Sequence, residues 1–374
     1  DDIDNLNKTL FSEEIGFVIQ VKSDDLDIVK SSLDEINIYV KEVATIVEES
    51  FSISSKEKEV FSESITVLEK YWRETSHAIQ SIRDNKKIAD SELNLLDNKN
   101  YHGLNSNVSF DENQIKNLLI KGTKPKVAIL REQGVNGQNE MAAAFTIAGF
   151  EAFDVHMQDL LDGNIDLKQF QGMAVCGGFS YGDVLGAGGG WSKTILYNNN
   201  VKDQFQQFFE NKATFTLGVC NGCQMLSNLK DIIPEADYWP SFQRNFSDQF
   251  EARLVQIKVE KTNSVLLRNM NGWTVPVASA HGEGRANFEM NNLEELKKQN
   301  QIAMKFVDSS AEYTEVYPLN PNGSPEGITG ITAASGRVTI MMPHPERVFR
   351  KYQMSWHQTD WPEYSPWMQI FVNA

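Results

Sequence analysis

The five residues Gly218-Val219-Cys220-Asn221-Gly222 constrain this chain more than any other stretch. They follow the apolar run Thr214-Phe215-Thr216-Leu217 and lead into Cys223-Gln224-Met225-Leu226, which reads as the start of a helix. Small residues on both sides of a central cysteine fit a sharp strand-to-helix turn, where a bulky Cβ would clash as the chain doubles back. Such a turn presents its central side chain at the carboxyl end of a strand. It also places the thiol at a helix N-terminus, whose dipole favours thiolate over thiol.

The surrounding pattern predicts an α/β fold. After Pro125, strand-like stretches at 126–130, 152–156, 173–176 and 214–219 are interleaved with a Gly- and Asn-rich loop at 131–138 and a helix at 140–148 closed by Gly149. Strands alternating with helices predict a parallel sheet whose ligands sit at the carboxyl ends of strands, where Cys220 falls. Further strands are expected at 250–259, 274–279 and 338–342. The chain before this is read as a small α+β segment. It has a strand at 16–21, an amphipathic helix at 24–36 with Leu26, Val29 and Leu33 on one side, and a long helix at 62–85. Between 86 and 124 the apolar pattern thins and Asn, Asp, Gly and Ser accumulate, as in a linker with a helical turn or two at 115–119. The expected boundaries are 1–90, a linker at 91–123, and 124–374.

Composition excludes several classes. With 374 residues and 41% apolar content the chain can bury the cores of two domains. A net charge of −16 argues against nonspecific nucleic-acid binding, which needs clustered Lys and Arg. No apolar run approaches the roughly 20 residues needed to span a bilayer. Three cysteines outside any regular framework fit a reducing compartment, so a cytoplasmic location is expected. The opening Asp1-Asp2-Ile3-Asp4 has no initiator Met and no signal pattern, which leads us to expect a processed chain or a piece of a longer one.

Cys220 and Cys223 form a Cys-x-x-Cys pair, so a redox motif or half a zinc site has to be weighed. Structural zinc needs two more ligands, and the sole remaining cysteine is Cys176, so no metal site is expected. Redox spacing is not excluded. The bracket of Gly218 and Gly222 nevertheless serves Cys220 alone, which marks it as a nucleophile and leaves Cys223 and Cys176 as buried small side chains. In Cys176-Gly177-Gly178-Phe179-Ser180-Tyr181-Gly182-Asp183 the glycines would let backbone N–H groups approach a ligand as an oxyanion hole requires, with the Asn221 N–H as a second donor. A surface loop is the bland alternative. A phosphate loop before Lys193-Thr194 fails because Ala187 and Ser192 stand where it needs glycine, and a dinucleotide fingerprint from Gly186 fails at Trp191. Two pairs compete for the base, His281-Gly282-Glu283 and His344-Pro345-Glu346. Pro343 and Pro345 stiffen the second, which favours it, while His281 could line the site or hydrogen-bond a loop.

These residues resemble class I (triad-type) glutamine amidotransferase domains. Arg131-Glu-Gln-Gly-Val-Asn136, Cys176 to Asp183, Gly218 to Gln224, Ala280-His-Gly-Glu-Gly-Arg285 and Met342-Pro-His-Pro-Glu-Arg-Val-Phe349 together are similar to the phosphoribosylformylglycinamidine synthase family in its large single-chain form. The likeness covers essentially the whole chain, with 124–374 as the glutaminase domain and Leu10 to Gln20 resembling the last part of a synthetase domain. It implies Cys220 as nucleophile, His344 as base and acid, and Glu346 as the group orienting the histidine. Gly178, Phe179 and Asn221 would form the oxyanion hole, and Gly177 and Gln224 would hold glutamine. It further implies that the ATP and Mg sites lie in an upstream synthetase part, a partner of this chain, with no cofactor in the chain itself. Lacking that part, the chain is expected to hydrolyse glutamine poorly, because the Gly177–Gly178 peptide could rotate away when nothing holds it. One departure is Gly189, where relatives are expected to carry an acidic residue. Alternatives of another class are a non-catalytic module that binds a partner domain and a Cys-x-x-Cys redox protein.

Overall fold

In the computed structural model, which describes residues 3–13, 15–55, 57–116, 123–289 and 291–374, the chain divides into two units, 1–76 and 77–374. The first contains helices α1 (Ile3–Leu10) and α2 (Leu26–Asp34), the hairpin β1 (Ser50–Ser55) and β2 (Lys58–Ser64), and the start of α3 (Ile65–Arg83). The hairpin is antiparallel with an irregularity between Ile53 and Ser54. Phe51 and Phe61 meet edge to face across it, their centroids 6.3 Å apart. No described side chain from 6 to 76 is buried; Phe17 is 95% and Trp72 87% exposed. Two expectations are corrected here. Residues 16–21 are irregular rather than a strand, because an apolar extended run becomes a strand only when a neighbour satisfies its backbone. The long helix starts at Ile65 rather than Ser62, since Ser62 to Ser64 pair within the hairpin.

The stretch read as a linker is more structured than its composition suggests. It holds α4 (Lys86–Asn94), whose Asn85 cap accepts a hydrogen bond from Lys87 N–H. It holds a bridge in which Asn107 N–H donates to Thr274 O at 2.8 Å, and the short α5 (Asn113–Lys116). The remainder of the turn expected at 115–119 lies outside the described residues.

From β3 (Lys126–Arg131) the chain continues through α6 (Gln138–Ile147), β4 (Glu151–His156), α7 (Met157–Leu161), β5 (Gly172–Val175), α8 (Gly189–Leu196), α9 (Asn199–Glu210), β6 (Phe215–Val219) and α10 (Asn221–Ser227). It then forms β7 (Ser241–Gln243), β8 (Glu251–Val259), β9 (Thr274–His281), β10 (Arg285–Asn287), α11 (Asn292–Lys298), β11 (Ile302–Phe306), β12 (Ile328–Thr332), β13 (Val338–Met341) and α12 (Met368–Val372). Nine of these strands make one sheet in the order β4-β3-β5-β6-β13-β12-β11-β8-β9. Pairing is parallel from β4 to β13 and antiparallel from β13 to β9, so the α/β fold is mixed rather than wholly parallel. Strands β5, β6 and β13 are buried along their whole length, as expected of central strands covered on both faces. Phe145 on α6 anchors one face by packing on Phe150, Phe215 and Phe371 with centroids 5.1–6.0 Å away. The carboxyl ends of β5, β6 and β13 are neighbours, and the candidate site residues follow them directly.

Candidate active site

Cys220 caps the N-terminal end of α10 with φ 52° and ψ −109°, a conformation L-residues rarely adopt. Neighbouring packing enforces it. A Cβ on Gly222 would lie 2.1 Å from Val175 O, and one on Gly218 would lie 2.5 Å from Leu226 Cδ1, so the elbow closes only with glycine on both sides. Cys220 N–H donates to Met341 O at 2.9 Å, tying the elbow to β13. The thiol is 5% exposed and points its proton at Ala280 O, 3.5 Å away.

His344 comes from the extension of β13. Its N–H donates to Ala278 O at 2.8 Å, which joins the turn to β9. Its Nδ1 and Glu346 Oε1 lie 2.6 Å apart, both side chains fully buried. Burial works against charge on this imidazole, but the Glu346 carboxylate and the Cys220 sulfur outweigh it and push His344 up to about 10. Nε2 has no partner at hydrogen-bonding distance, so we treat its coupling to Cys220 as electrostatic rather than as a formed hydrogen bond. Such contacts in empty sites commonly tighten when substrate binds.

Gly177 lies between the two. A Cβ there would come 2.6 Å from His344 Cε1 and 3.2 Å from Cys220 Cβ. The residue expected to hold glutamine is therefore also the spacer that lets imidazole and thiol share one point. Gly177→Ala should displace the ring and lower glutamine turnover by about 10²-fold, the usual penalty for roughly 1 Å of misplacement. Steady-state hydrolysis alongside a melting curve checks this; unchanged turnover in a folded variant would refute it.

The remaining expected residues line the same cavity, of about 260 Å³, with Gly178, Phe179, Cys220, Gln224, His281 and Glu283 in its wall. Gln224 Nε2 donates to Glu283 O at 2.5 Å, and its Oε1 accepts from Asn221 Nδ2 at 3.1 Å. Phe179 needs correcting as an oxyanion donor: its N–H donates to Gly134 O at 2.8 Å and so points away from the thiol. The free rotation expected of the Gly177–Gly178 peptide is also corrected, because Gly177 O accepts from Asn136 N–H at 3.1 Å within this same chain. Position 189 opens α8, where a Cβ would make only an ordinary 3.7 Å contact to Leu185, so packing does not demand glycine there.

His281 does something different. Asn322 Nδ2 donates to its Nε2 at 3.1 Å, which leaves the ring proton on Nδ1, facing Ser279 Oγ at 3.3 Å. Burial and the nearby His344 push it down to about 3, so it is neutral. Both nitrogens are engaged. Cys223 and Cys176 are fully buried, and burial pushes both thiols well up. Among the described residues no three His, Cys, Asp or Glu side chains gather as metal ligands, and no helix is long and apolar enough to cross a membrane.

A cysteine on a strand–helix elbow, facing a buried histidine–carboxylate pair at the ends of parallel strands, has the geometry used for cysteine-based acyl transfer on α/β sheets. The model of the CobB/CobQ-like glutamine amidotransferase domain matches residues 124–374, and the chain belongs to that family. Two solved structures are similar. PurLQS from Thermotoga maritima aligns with TM-score 0.51 and 22% identity over 67% of this chain and 97% of that one. A putative GMP synthase from Thermoplasma acidophilum aligns with TM-score 0.41 and 12% identity over 68% of this chain and 93% of that one.

Proposed function

We propose that the chain is the glutaminase portion of a phosphoribosylformylglycinamidine synthase, releasing ammonia from glutamine for the ATP-dependent amination of formylglycinamide ribonucleotide. The observation that carries the glutaminase part is the buried Cys220–His344–Glu346 arrangement with its charged imidazole. The Cys220 sulfur attacks the side-chain amide carbon of glutamine, and the carbonyl oxygen becomes an oxyanion facing the N–H groups of Gly178 and Asn221. The carbon–nitrogen bond then breaks, and His344 passes its proton to the departing ammonia. The imidazole, now neutral, takes a proton from water, whose oxygen attacks the thioester. Glutamate leaves, and the thiolate and imidazolium return. Glu346 holds Nδ1, so that Nε2 serves the reacting atoms. Gly177 and Gln224 border the glutamine.

The acceptor rests on the motif resemblance and is supported by surface character. Apolar side chains rim the cavity, with Phe179 and Phe250 centroids 5.8 Å apart and Val184 81% exposed. The first unit, for its part, buries none of its described side chains from 6 to 76. Surfaces of this kind suit a partner domain, here one of synthetase type that would bind ATP and Mg. Adding the chain to a synthetase portion that uses free ammonia should confer amination of formylglycinamide ribonucleotide with glutamine as sole nitrogen source. A mixture that aminates with ammonia yet never with glutamine would overturn the reading.

A further inference from the structure

The Gly177 carbonyl is turned away from the reacting centre by a hydrogen bond from Asn136 N–H at 3.1 Å. In a trans peptide the N–H points opposite to the C=O, so this bond aims the Gly178 N–H the other way, to the side that lines the cavity. The bridge between Val135 and Gly178 agrees. It is closed by Asn136 N–H to Gly177 O and Phe179 N–H to Gly134 O, a pattern in which the central residue directs its own N–H away from the partner strand. Asn136 is itself held, since its Oδ1 accepts from Arg347 Nη2 at 2.9 Å. Arg347 directly follows Glu346, and its N–H donates to His344 O at 3.3 Å. One exposed side-chain hydrogen bond thus joins the turn that carries the base to the peptide that would face the oxyanion.

Resting on the glutaminase reading above, we propose that Asn136 and Arg347 are positioning residues: through the Gly177 carbonyl they keep the Gly178 N–H aimed at the oxyanion site. Neither side chain touches substrate. The loop that carries Asn136 has other ties, from Val135 N–H to Glu132 O, Tyr181 N–H to Gln133 O and Tyr181 Oη to Glu132 Oε2. The fold therefore survives loss of the Arg347 contact while the aim of the peptide loosens.

The test uses Arg347→Ala, Asn136→Ala, their double variant and Arg347→Lys. Two rates are compared: hydrolysis of glutamine or γ-glutamyl p-nitroanilide, which passes through an oxyanion, and alkylation of Cys220 by iodoacetamide, which does not. Each single alanine should lower kcat about tenfold, below the roughly 10²–10³-fold cost of losing a whole donor, with KM and alkylation unchanged. The double variant should be no worse than either single one, and Arg347→Lys should recover most of the rate. Unchanged kcat, additive losses, or alkylation falling in step with kcat would overturn the proposal. So would a wild-type chain whose Cys220 reacts with a glutamine-like chloroketone but which hydrolyses neither substrate. Indifference of Cys220 to both alkylating agents would instead refute the glutaminase reading itself.

Discussion

Cys220→Ala should reduce glutamine hydrolysis to background, a loss on the order of 10⁶-fold, the scale seen when a covalent nucleophile is deleted. Cys223→Ala should keep most of the activity. Only three positions separate the two cysteines, yet their surroundings differ in kind. Cys220 sits at the elbow with its side chain on the cavity, beside the charged His344. Cys223 is fully enclosed on α10, where burial holds it as the neutral thiol. The backbone offers an independent check, because a residue held at φ 52° costs of order 1–3 kcal/mol unless it is glycine. Cys220→Gly should therefore melt above Cys220→Ala while being just as inactive, as expected where the fold tolerates strain to expose a nucleophile. Equal loss of turnover in the Cys220 and Cys223 alanine variants would point back to a paired-cysteine chemistry.

The elbow was legible in the sequence because its cause is local: two close approaches that only glycine permits. The parallel half of the sheet was legible too, since buried central strands appear as short continuous apolar runs. The antiparallel half was harder. Ile302–Phe306 carries Lys305, and Ile328–Thr332 carries Gly330 at its centre, so neither shows a clean strand pattern, and their pairing with β8 and β13 secures them. The hairpin of the first unit did carry a period-two signal in Phe51 and Ile53, diluted by serines. Gly16 to Val21 carried a stronger signal and yet is irregular, because extended backbone depends on a neighbour that sequence pattern cannot supply.

Within the candidate site, the residue types could be read but the peptide orientations could not. Gly177, Gly178 and Phe179 look equivalent as donors in a glycine-rich run. Which N–H faces the thiol is decided by the bridge to Val135, more than forty residues earlier in the chain. Asn136 and Arg347 had no visible link at all, being 211 positions apart. The choice between His281 and His344 likewise turns on partners. The ring nitrogens of one face an amide and a hydroxyl, whereas one nitrogen of the other meets a carboxylate.

That difference in partners sets the second large effect. His344→Ala should lower turnover by about 10²–10⁴-fold, the usual contribution of a positioned proton-transfer group. His281→Ala should leave kcat nearly intact but lower the melting temperature, because Asn322 Nδ2 and Ser279 Oγ would lose a buried partner, at about 1–3 kcal/mol for each group left unsatisfied. The pH dependences should run in opposite directions. His344, raised to about 10, binds its proton more tightly folded than unfolded. Its stabilising contribution is complete below the ordinary imidazole value of about 6.5 and decays as pH rises toward about 10. His281, lowered to about 3, is neutral when folded, so its contribution is present above about 6.5 and lost as pH falls toward about 3. Turnover needs the protonated His344 to release ammonia, so its alkaline limb should lie near 10 rather than near the value of a free imidazole. A pH–rate profile of glutamine hydrolysis from 6 to 11, measured on the wild type and on His281→Ala, reads this directly. An alkaline limb near neutrality in both proteins, or an inactive His281→Ala beside an active His344→Ala, would mean that the other histidine carries the proton.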